Sequence, residues 1–377
     1  MKRIIALIAA ISIITGANGV AMAASPPSIN TPSAILMEKE TGTILYEQNA
    51  HERLAPASVT KIMTILLIVE SIDRGELKLS DIVTASTRAS SMGGSQIYLK
   101  EGEQMSVEDL LKSVIISSAN DAAVALAEQI AGSEDSFTSL MNDRAKELGM
   151  NETTFINCTG LPADGHLTTA YDIGLMSREL LKHDLVKKYS TVWMDTVRNG
   201  EFGLTNTNRL VRFYEGTTGL KTGFTSTALH CLAASAERDG MELIAVVLKA
   251  PTSNDRFEAA KSLLGFGFAN YALVDASPES PLPEIHVELG ENESVAVMPE
   301  GNDHILVEKS RAGGVTKTVK LPETVEAPVK KGTKLGEMTI QNADGMLMVR
   351  DLVAAETVER LGYFGVYKKL LTALFSR

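Results

Sequence analysis

The run Ile62-Met63-Thr64-Ile65-Leu66-Leu67-Ile68-Val69 constrains this chain more than any other stretch. Pro56 before it and Gly75 after Asp73-Arg74 are the usual punctuation of a helix. The helix is apolar on nearly every face, so other elements must wrap it; a surface helix would keep a polar side. At its head stands Ala57-Ser58-Val59-Thr60-Lys61. Ser58 and Lys61 are three residues apart and share one face of the first turn. A serine hydroxyl is a weak nucleophile until a base takes its proton. A lysine among apolar groups holds its proton less tightly, because desolvation disfavours the charged form. A neutral Lys61 is then a base for Ser58, and the free N–H groups of the first turn favour negative charge developing there. Alone, Ser-x-x-Lys also describes a capped helix start, so its meaning depends on the rest of the chain.

Length and composition narrow the setting. The 377 residues suffice for two domains, and 44% hydrophobic with 22% charged residues is a globular balance. A net charge of −11 argues against nucleic acid as a partner. Cys158 and Cys231 are too few for a disulfide framework or a thiolate metal site; of one disulfide or two buried thiols, the thiols are the expectation. The six histidines show no ligand spacing, so neither metal nor other cofactor is expected. Lys2-Arg3, the apolar Ile4 to Ile14 and Ala21-Met22-Ala23 read as a secretory signal over 1–23. The apolar run is short for a membrane span. The expectation is an exported protein at the outer face of the cytoplasmic membrane or in the cell wall.

Along the chain, Ala34–Met37 and Thr43–Tyr46 flank Glu40-Thr41-Gly42 as a β-hairpin. Ser86 to Leu99 is a glycine- and serine-rich loop. Ser106-Val107-Glu108-Asp109 resembles a capping box opening a helix through Ile116. Ser117-Ser118-Ala119-Asn120-Asp121 precedes the alanine-rich helix Ala122 to Ala131. Ser118 and Asn120 read either as caps of that helix or as polar groups in a break that faces a cleft. Asn157 to Leu161 and His166 to Ala170 are irregular and lead into a helix from Tyr171 to Leu181, capped by Thr168 or Thr169. Ala228–Ala236 and Leu243–Lys249, joined by Arg238-Asp239-Gly240, read as a hairpin of core strands. Lys221-Thr222-Gly223 is expected at the start of a strand, where a glycine lets a backbone or ligand approach. Lys221 and Thr222 then offer a charge and a hydroxyl to a carboxylate. Asp255 opens a helix towards Phe268. The proline-rich 276–283 reads as a linker to a small all-β domain with strands at Ile285–Leu289, Ser294–Val297, His304–Val307 and Thr316–Val319. In the tail, Phe364, Tyr367, Leu371, Leu374 and Phe375 recur at helical spacing beside Arg360, Lys368, Lys369 and Arg377, which suits an amphipathic helix on a membrane surface.

Three motifs stand in order: Ser58-x-x-Lys61, Ser118-x-Asn120 and Lys221-Thr222-Gly223. The set resembles that of penicillin-binding proteins and class A β-lactamases. The chain is similar to a serine-type D-alanyl-D-alanine carboxypeptidase, a low-molecular-mass penicillin-binding protein. The resemblance implies an α+β fold: a β-lactamase/transpeptidase-like domain with an antiparallel five-stranded sheet and helices on both faces, a small C-terminal all-β domain and an amphipathic tail helix. The corresponding spans are 1–23 signal, 24–275 catalytic, 276–352 β-rich and 353–377 tail. It implies Ser58 as acylated nucleophile, Lys61 as its base, and Ser118 with Lys221 assisting proton transfer to the leaving D-alanine. It makes Asn120, Thr222 and Gly223 substrate-binding, gives Phe224 a backbone N–H in the oxyanion hole beside that of Ser58, and matches Arg256 to a carboxylate-neutralising arginine. The implied partners are peptidoglycan stem peptides ending in D-Ala-D-Ala, β-lactam antibiotics and a membrane surface. A β-lactamase is the near alternative, but no Glu-x-x-Leu-Asn string lies between Asn151 and Lys221. A catalytically idle wall-binding protein is the other, against which the intact nucleophile, base and strand motif argue.

Overall fold

The structure is a computed structural model that describes residues 26–375; the expected signal at 1–23 and the last two residues lie outside the described residues. Strand β1 (Ser33–Glu38) pairs antiparallel with β2 (Ile44–Gln48), as the hairpin reading expected. All six residues of β1 are buried, so it reads as a continuous apolar run rather than an alternation. A 3-10 turn, Ala57–Thr60, then leads into α1 (Lys61–Asp73). Every residue from Lys61 to Val69 is buried, as the wrapped helix requires.

Helices α2 (Val107–Ile116), α3 (Asn120–Ala131) and α4 (Ala170–Leu180) pack around α1. Ser106 caps α2 through the Asp109 N–H; the return bond of a full capping box is not among its contacts. Thr169, one of the two expected residues, caps α4 through the Asp172 N–H. Strands β3 (Thr217–Thr225), β4 (Leu229–Arg238) and β5 (Met241–Ala250) complete an antiparallel sheet in the order β2-β1-β5-β4-β3. The Lys221-Thr222-Gly223 motif therefore lies in the middle of an edge strand, not at its start.

Period-two alternation splits the sheet between two cores. Ile35, Met37, Ala233, Ile244 and Val246 face α1–α4, whereas Leu36, Leu232, Ala234, Leu243 and Ala245 face α5 (Ser253–Asn270). Thr252 and Asp255 form a reciprocal capping box at the start of α5.

The second domain is all-β, but its limits differ from those expected. Tyr271–Asp275, assigned by sequence to the first unit, pairs with His304–Glu308, and Ala276 enters the same small core as Ile305, Met338, Ile340 and Leu352. The polar-edged strands Lys334–Asn342 and Gly345–Ala354, unread from sequence, form its largest hairpin. Backbone bridges Val329–Val358 and Gly290–Arg360 carry the domain past the expected end at 352. The tail helix α6 (Tyr363–Phe375) starts later than 353.

Candidate active site

The Ser58 turn is shaped by its neighbours. Ala57 has φ 49°, so the chain enters α1 through a tight 3-10 turn rather than an α turn, and Lys61 becomes the first α residue. Two glycines allow the turn to nest. A Cβ on Gly160, whose φ is +81°, would sit 1.8 Å from the Ala57 carbonyl oxygen. A Cβ on Gly223 would sit 2.9 Å from both the Pro56 oxygen and the Ser58 nitrogen. The motif strand thus presses directly on the nucleophile's turn, which is the close approach expected of that glycine.

Lys61 is fully buried, and its Nζ has three partners: Ser58 Oγ at 3.1 Å, Asn120 Oδ1 at 2.6 Å and the Thr159 carbonyl at 2.7 Å. Asn120 Nδ2 donates to the Gly93 carbonyl at 2.6 Å, which turns its Oδ1 towards Lys61. Two of the three partners are therefore pure acceptors. A neutral amine gives them its two N–H groups and keeps its lone pair for the Ser58 hydroxyl. Burial pushes the Lys61 pKa down to about 7, against an opposing pull from Cys158 and Asp121.

Ser118 is no helix cap. It has φ 64°, is 3% exposed, and its Oγ has no hydrogen-bond partner among the described residues. Asn120 is the first residue of α3, and that helix has no side-chain cap. The cap reading of Ser118 therefore fails: it sits in a left-handed break between α2 and α3 with its hydroxyl buried, while Asn120 Oδ1 turns to Lys61. Lys221 is buried, with Nζ 3.4 Å from the Val114 carbonyl, and burial, followed by the Lys61 charge, holds its pKa well below the usual lysine range. Thr222, also buried, follows it on β3. Phe224 is 59% exposed and stacks on His230 with centroids 4.5 Å apart. Arg256 lies against the same strand from α5. Its Nη1 donates to the carbonyls of Gly223 (2.9 Å) and Cys231 (3.3 Å), so it braces β3 and β4 from behind. Burial pushes its pKa down to about 10. Both cysteines are buried free thiols.

Several supporting groups were not singled out from sequence. Asp121 is buried and accepts from Ile97, Leu99 and Ala122 N–H groups, which folds the 86–99 loop against Asn120. Asn157 Oδ1 accepts from Thr159 and Gly160 N–H groups, in the turn that presents the Thr159 carbonyl to Lys61. Ile156 N–H donates to His166 Nδ1 (3.1 Å), so the ring proton is on Nε2, which donates to Thr60 Oγ1 (2.8 Å). Burial lowers the His166 pKa to about 4, so the ring stays neutral near pH 7. An acid directly after Asn120, ahead of the apolar run Ala122–Ala127, was the one available signal for Asp121.

Fold and site together define a serine-type peptidase with a Ser–Lys pair on one helical turn. Known families agree. A family model described as D-alanyl-D-alanine carboxypeptidase matches residues 20–252, and one described as the C-terminal domain of penicillin-binding protein 5 matches 277–360. D-alanyl-D-alanine carboxypeptidase DacF of Bacillus subtilis is 40% identical over 90% of this chain and 88% of its own length. DacC of Escherichia coli, another D-alanyl-D-alanine carboxypeptidase, is 36% identical over 90% of this chain and 87% of its own. The crystal structure of penicillin binding protein 5 from Haemophilus influenzae superposes with a TM-score of 0.78 at 29% identity, covering 89% of this chain and all of that one. Penicillin-binding protein D2 of Listeria monocytogenes, in an ampicillin-bound form, covers 64% of this chain and all of that one, at 34% identity and a TM-score of 0.59. The chain belongs to the D-alanyl-D-alanine carboxypeptidase family, the low-molecular-mass penicillin-binding proteins.

Proposed function

We propose that this protein removes the terminal D-alanine from peptidoglycan stem peptides ending in D-Ala-D-Ala, through an acyl-Ser58 intermediate that penicillins also form. The observation that carries the mechanism is the Lys61 contact set: a buried amine with two acceptors and one hydroxyl 3.1 Å away. Neutral Lys61 takes the Ser58 proton as Oγ attacks the scissile carbonyl. The N–H groups of Ser58 and Phe224 hold the oxyanion, a charge that exists only along the reaction path. The Ser118 hydroxyl, between the two lysines in role, passes a proton to the departing amine, and Lys221 assists that transfer. Asn120 and Thr222 hold the substrate amide and the terminal carboxylate. Arg256 adds charge behind Gly223 while bracing the strand. Water then hydrolyses the acyl-serine.

Replacing Ser58 by alanine removes one oxygen and leaves the packing intact. Ser58→Ala should lose both labelling by a fluorescent penicillin and release of D-alanine from a D-Ala-D-Ala peptide, at unchanged melting temperature. Labelling that survives would place the nucleophile elsewhere.

The proposal includes export and attachment to the outer face of the membrane. Lys2-Arg3 with the apolar stretch behind it supports export. On α6, Tyr363, Phe364, Tyr367 and Leu370 are exposed, beside Lys368 and Lys369. Among the described residues no helix is long and apolar enough to cross a membrane. An interfacial helix with basic residues on its polar side fits both facts.

A further inference from the structure

A groove of about 580 Å³ lies in the β domain, bordered by Thr41 and Thr43 of the β1–β2 turn. Two strands supply most of its wall, through residues 305–307 and 347–351. Successive side chains of a strand point to opposite faces, so a cavity over one face meets every second residue. Lining by consecutive residues therefore means that this groove runs along strand edges.

Both edges are open. Strand His304–Glu308 pairs only with Tyr271–Asp275. Strand Gly345–Ala354 pairs with Lys334–Asn342 on one side, and on the other only with Val297–Pro299, at residues 352–354. Backbone groups along an antiparallel strand point alternately towards the partner and away from it. The Ala276 N–H donates to the Asp303 carbonyl (2.7 Å) on the paired side, so His304 and Leu306 direct theirs outward. The Glu300 N–H reaches the Asp351 carbonyl (2.9 Å) from the outer side, so Val349 also points outward. The backbone groups of Leu306 and Val349 have no partner among the described residues. Open edges are usually guarded: Thr316–Lys320, the outermost strand of the same sheet, carries Lys317 and Lys320. The groove edges carry neither lysine nor proline, but apolar groups such as Leu306, Val307, Leu347 and Val349.

One charge stands in the wall. Arg350 is 6% exposed, and Nη1 to the Ala276 carbonyl (3.3 Å) is the only hydrogen bond its guanidinium makes among the described residues. Asp303 and Asp275 attract it only from beyond ion-pair distance. A guanidinium has five N–H donors, and leaving them without acceptors in a buried place is costly. Its complement is a carboxylate, which can accept two of them side by side.

We propose that this groove takes an extended acidic segment of another protein as an added strand, with an Asp or Glu side chain of that segment on Arg350. The open edges select a peptide backbone, and the apolar flanks with one buried cation select an acid set among apolar residues. The proposal is independent of the hydrolytic reading.

The test uses the full protein and the fluorescein-labelled peptide Val-Thr-Glu-Thr-Val-amide, followed by fluorescence anisotropy. The peptide should bind saturably, and its Gln form about tenfold more weakly, the loss expected of one hydrogen-bonded charge. A form methylated on two successive backbone nitrogens, which lacks a donor for either edge, should not bind. Val349→Pro removes one outward N–H that no ladder bond uses, a place where an edge strand tolerates proline; it should weaken binding and leave the melting temperature nearly unchanged. Arg350→Met should bind the Glu and Gln peptides alike, with penicillin acylation as the check that the catalytic domain is folded. No saturable binding, equal binding of the Glu and Gln forms to the unmodified protein, or binding that survives N-methylation would each overturn the proposal. So would self-association in sedimentation velocity that the peptide competes away, because a second copy would then be the occupant.

Discussion

Lys61 illustrates how one buried side chain carries the chemistry. Its three partners at Nζ include no carboxylate, and the pull of Cys158 and Asp121 from further off offsets only part of the cost of burying a charge. The amine is accordingly held at a pKa of about 7 instead of the usual 10.5. The base must be neutral to accept the Ser58 proton, and the neutral fraction grows as pH rises. Acylation by a fluorescent penicillin should therefore climb through pH 7 and level off above it. Lys61→Arg should be slower by at least about 100-fold, the lower end of what general base catalysis contributes, because a guanidinium keeps its proton at any working pH. A flat profile between pH 5 and 9, or near-normal acylation by the arginine variant, would remove Lys61 from the role.

The elements that hold this residue are joined by loops, and the loops touch at glycines. The Gly160 loop delivers the Thr159 carbonyl to Lys61 and lies on the Ala57 carbonyl. Gly160→Ala would combine a left-handed alanine with a hard backbone clash, a loss of about 2–4 kcal/mol by the usual costs of each. Gly149, with φ +76° and open space where a Cβ would go, is the control: Gly149→Ala carries only the backbone strain, about 1 kcal/mol. Denaturant unfolding should separate the two variants, and penicillin acylation should fall only in Gly160→Ala. Equal midpoints would mean that the 157–161 loop yields easily and is not what sets the Ser58 turn.

At the scale of the whole molecule, Lys369 of α6 makes an exposed ion pair with Glu293 of the β domain at 3.5 Å. A pair of this kind contributes at most about 1 kcal/mol, so the proposed membrane attachment would lose little by breaking it. Basic side chains near anionic lipid gain roughly 1 kcal/mol each. A chain ending at Leu361 keeps the Val358 and Arg360 bridges, whereas one ending at Leu352 would cut into strand Gly345–Ala354. The Leu361 truncation should keep full activity on soluble peptide and lose sedimentation with anionic vesicles. Equal sedimentation of truncated and full-length chains would make the tail a structural part of the β domain.

Much of this was legible in the linear chain because it depends on periodicity and spacing. The all-apolar run Ile62–Val69 requires a wrapped helix, and three residues of spacing put Ser58 and Lys61 on one turn wherever that helix lies. The core hairpin and the Thr169 cap are equally local, since turn residues and caps act within a few positions of themselves. The second domain was half read: strands with alternating apolar residues were visible, while Lys334–Asn342 and Gly345–Ala354, with polar groups on most positions, gave no pattern against the background. Other features depend on contacts between segments far apart in sequence. That Ser118 does not cap α3 follows from its left-handed backbone, φ 64°, which no local sequence pattern announces. The Thr159 carbonyl lies 98 positions from Lys61 and Asn120 lies 59 away, so only the closed fold could decide that two acceptors would flank the amine and leave its lone pair to Ser58.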